Sequence, residues 1–169
     1  RRTVLKNIKF KKVDPREKDL MRDIYRLRYA VYSRKNFIRK RDYQNQIEKD
    51  EYDCDARHYA CLGPSGEVFG TARLIFSYRD LLPFEKSCQN ALYDNFDLNE
   101  CVHYGEISRF IVDKNIITKI LKKSSASSQS MGLGHFAFWD QSRFIVRGLC
   151  EEIFDDIQES NLSHVFALM

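Results

Sequence analysis

Paired cysteines, long apolar runs and internal repeats are all missing from this 169-residue chain, and each absence closes off a class of protein. The five cysteines (Cys54, Cys61, Cys88, Cys101, Cys150) are odd in number, widely spaced and never arranged as CxxC. That argues against a disulfide framework or a zinc knuckle and for reduced thiols. No run of about 18 apolar residues is present, so no membrane span is expected. The basic N-terminus lacks the apolar centre of a signal peptide, which makes a cytoplasmic protein the expectation. Neither a Ser-His-Asp nor a Cys-His pattern stands out. The four histidines (His58, His103, His135, His164) are scattered and read as structural or surface residues.

What is present suffices for one domain over residues 1–169: the composition is 43% hydrophobic and 13% aromatic, enough for a real core. The net charge of +4 conceals an asymmetry, since residues 1–41 hold 16 Lys/Arg against 4 Asp/Glu while the remainder is acidic. This basic segment reads either as a solvated face or as a docking patch for an acidic partner. No helix-turn-helix, zinc-finger or RNP-type pattern accompanies the charge, which argues against nucleic acid.

The hydrophobic pattern predicts the order β-α-β-β-β-α-β. Residues 3–13 alternate weakly as an edge strand, and Asp14-Pro15 offers an N-cap and a first-turn proline. The helix that follows carries an apolar stripe of Leu20, Ile24, Leu27 and Val31. Residues 34–56 read as loop. Strands are expected over 57–62 and 67–76 around a GPSG turn, and over 104–112. KKSSASSQS reads as a loop, Phe144 to Ser160 as a helix and SHVFALM as a closing strand.

Against this pattern certain charges are out of place. Glu106, Ser108 and Arg109 interrupt the apolar run YGEISRFIV, Arg28 sits in LRYAVY and Arg73 in GTARLIF, and EKDEYD gathers Glu48, Asp50 and Asp53. Burying such charges unpaired is costly, so together they predict one shared buried or cleft-lining network. In a regular strand Glu106 and Ser108 share a face and Arg109 takes the other, unless a bulge re-aims it. Glu106 reads either as a base that assists amine deprotonation or as an ion-network partner. Asp50 and Asp53 read as holders of an acceptor ammonium, as orienters of arginines, or as a simple acidic loop. Further ligands for a metal are lacking. Cys54 has an acidic setting and reads as a bystander. Gln129, Gly132 and Gly134 in QSMGLG precede helical sequence, where glycines let backbone N–H groups approach a phosphate.

The ordered set RYAVY, EKDEYD, GTARLI and EISRFIV resembles the acyl-homoserine-lactone (autoinducer) synthases and their relatives, the N-acyl amino acid synthases and exosortase-associated acyltransferases. The resemblance covers about residues 24–112, and QxxGxG extends it to about 134. It implies an α/β, GNAT-like acyl-CoA N-acyltransferase fold, a mixed central sheet flanked by helices. It places the family's charges on Arg28, Glu48, Asp50, Asp53, Arg73, Glu106 and Arg109. With them come Ser108 beside the chemistry, Phe110 at the substrate, and Gln129, Gly132 and Gly134 at the donor. The implied reaction moves a fatty acyl group from acyl carrier protein or coenzyme A, as co-substrates rather than resident cofactors, to the amine of a small acceptor. Autoinducer synthases carry a tryptophan shortly after the first arginine motif; here Lys35-Asn36-Phe37 stands there, as in the N-acyl amino acid branch. A homoserine-lactone synthase and a non-catalytic acyl-carrier or lipid-binding module are the alternatives. The family fold continues with more strands and helices after SHVFALM, so truncation at this end is expected.

Overall fold

The computed structural model describes residues 7–77, 81–88, 103–125 and 134–167. Its elements run β1 (Lys9–Val13), α1 (Lys18–Arg34), β2 (Arg57–Leu62), β3 (Val68–Phe76), α2 (Pro83–Cys88), β4 (Tyr104–Val112), α3 (Lys114–Ser125), α4 (Gly134–Glu159) and β5 (His164–Ala167), with short 3-10 turns at Lys40–Asp42 and Glu51–Cys54. The strands form one sheet in the order β1-β2-β3-β4-β5. The first four pair antiparallel and β4 pairs parallel with β5. This mixed sheet flanked by helices is the α/β, GNAT-like architecture that the resemblance implies.

Strand β3 is buried at all nine positions, as a central strand covered on both faces should be. One face receives α1, whose Met21, Ile24, Leu27 and Val31 pack with Val13, Ala60, Val68 and Ile111. The other receives α4, where Ile145, Leu149 and Ile153 meet Tyr59, Phe69, Ala72 and Leu74. Asp156 ties α4 to the sheet edge, accepting from Tyr59 Oη at 2.6 Å and Lys12 Nζ at 2.7 Å, with Arg57 Nη1 at 3.0 Å.

Several boundaries differ from the expected ones, each for a local reason. Asp14 does not cap α1: its Oδ1 accepts from the Arg16 N–H at 2.9 Å, closing a separate turn, and the helix starts at Lys18. Helix α2 was not expected, although Pro83 at its first position and Glu85, which accepts from the Leu82 N–H at 2.6 Å, are ordinary helix-start signals. Helix α3 is absent from the expected order because its Ser and Lys content masks Ile116 and Ile117; Asp113 caps it, accepting from Asn115 N–H at 2.8 Å. Helix α4 begins ten residues before the expected Phe144.

Strand β3 leaves no room for a side chain at Gly70. A Cβ there would lie 2.9 Å from the Ile111 carbonyl oxygen, 3.2 Å from Ile145 and 3.3 Å from Leu149. Gly70→Ala is therefore expected to destabilise the domain by about 1–3 kcal/mol through overpacking, read as a lower urea midpoint; an unchanged midpoint would show that the sheet can spread there.

Candidate active site

The network begins with register. His58 on β2, Arg73 on β3 and Ser108 on β4 lie opposite one another across the sheet, on the face that receives α1. Ile75 and Glu106 form the next pair on that face. A β-bulge then interrupts the ladder, because Ala72 alone faces the two residues Arg109 and Phe110. Arg109 has φ of +53°, a left-handed conformation rare for a non-glycine residue, and this turns its side chain back toward the α1 face. The bulge thus gives Glu106, Ser108 and Arg109 a common side, which strict alternation denies them.

Three arginines from three elements meet three acids from one loop. Asp53, with a fully buried side chain, takes Arg28 Nη1 at 2.7 Å and Arg73 Nη1 at 2.9 Å on the same oxygen. Arg73 also donates to Asp50 and, through Nε, to Ser108 Oγ at 3.1 Å. Arg109 Nε donates to Glu48 Oε1 at 3.0 Å and its Nη2 to Asp50 Oδ2 at 2.8 Å. The acidic loop is held in shape by its own backbone: Asp50 accepts from Tyr52 N–H while Asp53 accepts from Asp50 N–H, a reciprocal capping box around the 3-10 turn. The expected network is therefore present, and its acids are engaged by arginines rather than arranged about a metal; among the described residues no metal-binding cluster of His, Cys, Asp or Glu occurs. Arg28 Nε, Arg73 Nη2 and Glu48 Oε2 are buried without a hydrogen bond.

Burial would raise the Asp53 carboxyl, but Arg28 and Arg73 outweigh it and hold the group at about 2. Burial, with Arg28 adding to it, pushes His58 down to about 4, so the ring is neutral at pH 7. Its Nε2–H then donates to the Asp53 carbonyl at 3.2 Å and its Nδ1 accepts from Arg28 Nη2 at 3.2 Å. His58 is the network member that the sequence does not mark out, since a lone histidine in a strand carries no local motif.

Glu106 is 1% exposed and lies outside these ion pairs. It accepts from the Phe84 N–H at 2.8 Å, beside an apolar cluster of Ile75, Leu82, Phe84, Tyr104 and Phe166. Burial raises its carboxyl above the ordinary range, against the opposing pull of the Phe84 N–H, Arg73 and Arg109. Phe110 lines a cleft of about 870 Å³ between the end of α1, residues 35–43 and the second half of β4. Arg109 and Glu48 line the same cleft and so join it to the buried network. Gln129 and Gly132 fall outside the described residues, and Gly134 is the first residue of α4. Cys54 is exposed, and its hydrogen bond to Asp55 raises its thiol, which suits a bystander.

Because Asp53 serves two buried arginines, its loss leaves Arg28 with no carboxylate nearer than Glu48 at 3.8 Å and takes from Arg73 one of its two. Asp53→Ala and Arg73→Ala are each expected to cost about 3–5 kcal/mol, with the double variant less destabilised than the sum. Asp53 ionises lower in the folded state than its ordinary 3.8, so its contribution is present above pH 3.8 and lost as pH falls toward 2. Denaturant melts at neutral pH and through pH 4 to 2 check both statements, and strict additivity would refute a shared network.

Three solved structures are similar to part of this chain: TofI in a ternary complex with an inhibitor and MTA (19% identical, TM-score 0.48), the AHL synthase LasI (14%, 0.42) and FeeM, an N-acyl amino acid synthase from uncultured soil microbes (16%, 0.41). They cover 70%, 72% and 72% of this chain, which in turn spans 66%, 64% and 66% of theirs, just under two thirds. Among curated proteins none matches by sequence. The sequence profile of the family described as N-acyl amino acid synthase FeeM matches residues 23–126, the stretch that holds Arg28, the acidic loop, Arg73, Glu106 and Arg109. This chain belongs to the FeeM family of N-acyl amino acid synthases.

Proposed function

We propose that the protein transfers a fatty acyl group from acyl carrier protein or acyl-coenzyme A to the α-amine of an amino acid. The observation that supports this most is the convergence, within the family-matched segment, of four separate charged motifs on one face of the sheet beside a cleft. The step needs an oriented amine, a proton acceptor and support for an oxyanion. The amine nitrogen attacks the thioester carbonyl, its proton passes to Glu106, the C–S bond breaks as the amide forms, and the thiolate leaves with that proton. Raised by burial, Glu106 is a stronger base than a solvated carboxylate. Ser108 already accepts from Arg73, so its hydroxyl hydrogen remains for the oxyanion. Lys35-Asn36-Phe37 in place of a tryptophan favours an amino acid acceptor over a homoserine-lactone product.

Glu106→Gln retains the shape and an acceptor for Phe84 N–H. It is expected to lower turnover at least about tenfold. The sign on stability is opposite: with a folded-state carboxyl raised above 4.5, its stabilising protonation is complete below pH 4.5 and lost as pH rises through the folded value. The glutamine variant is therefore at least as stable as wild type at neutral pH. A folded variant with wild-type turnover would remove Glu106 from the chemistry.

For the donor, exposed Lys35, Arg39, Lys40 and Arg41 form a basic edge after α1 suited to an acidic carrier protein in a reducing cytoplasm. Among the described residues no helix is long and apolar enough to cross a membrane. Reversing Arg39, Lys40 and Arg41 to glutamate, none of which lines the cleft, is expected to slow transfer from acyl carrier protein about tenfold at low salt, with acyl-coenzyme A much less affected, and salt should shrink the difference. Equal loss with both donors would point to damage at the cleft instead.

A further inference from the structure

Helix α4 carries its charges in an order that its own chain does not favour. A helix dipole attracts acids to the N-terminal end and cations to the C-terminal end. Along the outside of α4 the order is reversed: Arg143 and Arg147 come first, then Glu151, Asp155 and Glu159, all exposed and spaced by four so that they follow one ridge. Arg147 Nε reaches Glu151 Oε1 at 2.7 Å within the helix. Arg143, Asp155 and Glu159 form no ion pair among the described residues. Buried Asp156 has Lys12, Arg57 and Tyr59 to offset it. Asp155 and Glu159 therefore stand at the unfavourable end of the dipole with no cation of their own chain.

Apolar surface runs beside that ridge. Phe154 is 58% exposed and Val146 41%, with the half-buried, reduced Cys150 between them, again at intervals of four. A single exposed aromatic is ordinary, but here a row of three lies along ordered charge. A partner for this face must be apolar along the row, acidic opposite Arg143 and Arg147, and basic opposite Asp155 and Glu159. The same helix running the other way meets each condition. With Cys150 opposite its counterpart, Val146 lies level with the partner's Phe154. Arg147 then falls between the partner's Glu151 and Asp155, and Arg143 between the partner's Asp155 and Glu159. A two-fold axis brings like flanks of the two helices together, so the two ridges meet along their length.

We infer that the outer face of α4 binds a second copy of this chain: the two helices pack antiparallel through Val146, Cys150 and Phe154, and Arg143 and Arg147 of each copy engage the acids of the other. The contact is isologous and closes at two copies. Helix α4 covers the sheet face opposite α1, so the arginine–carboxylate network and the cleft of both copies stay outside the contact. The association is thus independent of the acyl-transfer reading. One helix per copy makes a small interface, for which a Kd of about 10 µM is expected.

The test is sedimentation velocity under reducing conditions from about 1 to 300 µM, a range that brackets this affinity. Wild type is expected to pass from one chain mass to two. Phe154→Glu alters an exposed side chain, so the fold should persist by circular dichroism, and Kd is expected to rise at least about thirtyfold, because each substitution in an isologous contact counts twice. Arg143→Glu combined with Arg147→Glu makes the ridge acidic throughout and is expected to keep the chain monomeric. Adding Glu151→Arg and Asp155→Arg to that variant inverts the ridge and is expected to restore the dimer, a rescue that general apolar adhesion does not produce. Wild type that stays monomeric throughout the range would overturn the inference, as would a Phe154→Glu variant that dimerises normally or an inverted ridge that fails to rescue a folded chain. Monomeric wild type that binds acyl carrier protein, with Phe154→Glu abolishing that binding, would assign the face to the carrier and overturn the second copy.

Discussion

One carboxylate in the dry interior controls how the site is built. A single Asp53 oxygen accepts from Arg28 of α1 and Arg73 of β3, and all three side chains are fully buried. Two guanidinium groups cannot share that volume without it, because the desolvation of each cation is offset only by a nearby anion with good geometry. Everything else in the network follows from holding Asp53 in place. The capping box around the Glu51–Cys54 turn fixes the acid from its own backbone, and neutral His58 fixes it from the sheet. Asp50 and Glu48 then extend the alternation of charge outward from the fully buried pairs to Arg109, whose side chain is 27% exposed.

The second controlling feature is backbone geometry. A continuous β4 would place Arg109 on the α4 side of the sheet, against apolar Leu149 and its neighbours. The bulge opposite Ala72 spends one extra residue to avoid this, and the ion pairs with Glu48 and Asp50 keep the left-handed residue in place. The same irregularity sets Phe110 on the cleft wall. Structure and chemistry are linked at this point: a local distortion of one strand decides which charges meet and which surface meets the substrate.

Much of the framework was legible in the residues. The central strands alternate or run apolar at the expected positions, α1 shows its stripe, and the misplaced charges Arg28, Arg73, Glu106 and Arg109 are conspicuous because their neighbours are apolar. Helices α2 and α3 are hard to see in the sequence, since each is signalled mainly by its cap, Pro83 with Glu85 and Asp113, rather than by a long stripe. His58 has no local signature as a network member because its role depends on a loop carbonyl and an arginine far away in the chain.

By itself, then, the chain order of charges and apolar runs determined that a mixed α/β sheet would carry a buried ionic cluster, because burying unpaired charge is prohibitive and the residues to pair it are all in the sequence. Which acid serves which arginine, that Glu106 stands apart from the ion pairs on the Phe84 amide, and that Arg109 turns toward a cleft were decided only in three dimensions. Pairing depends on cross-strand register and on one bulge, both set by how strands and helices pack together, and neither leaves a local mark on the sequence that could be read in advance.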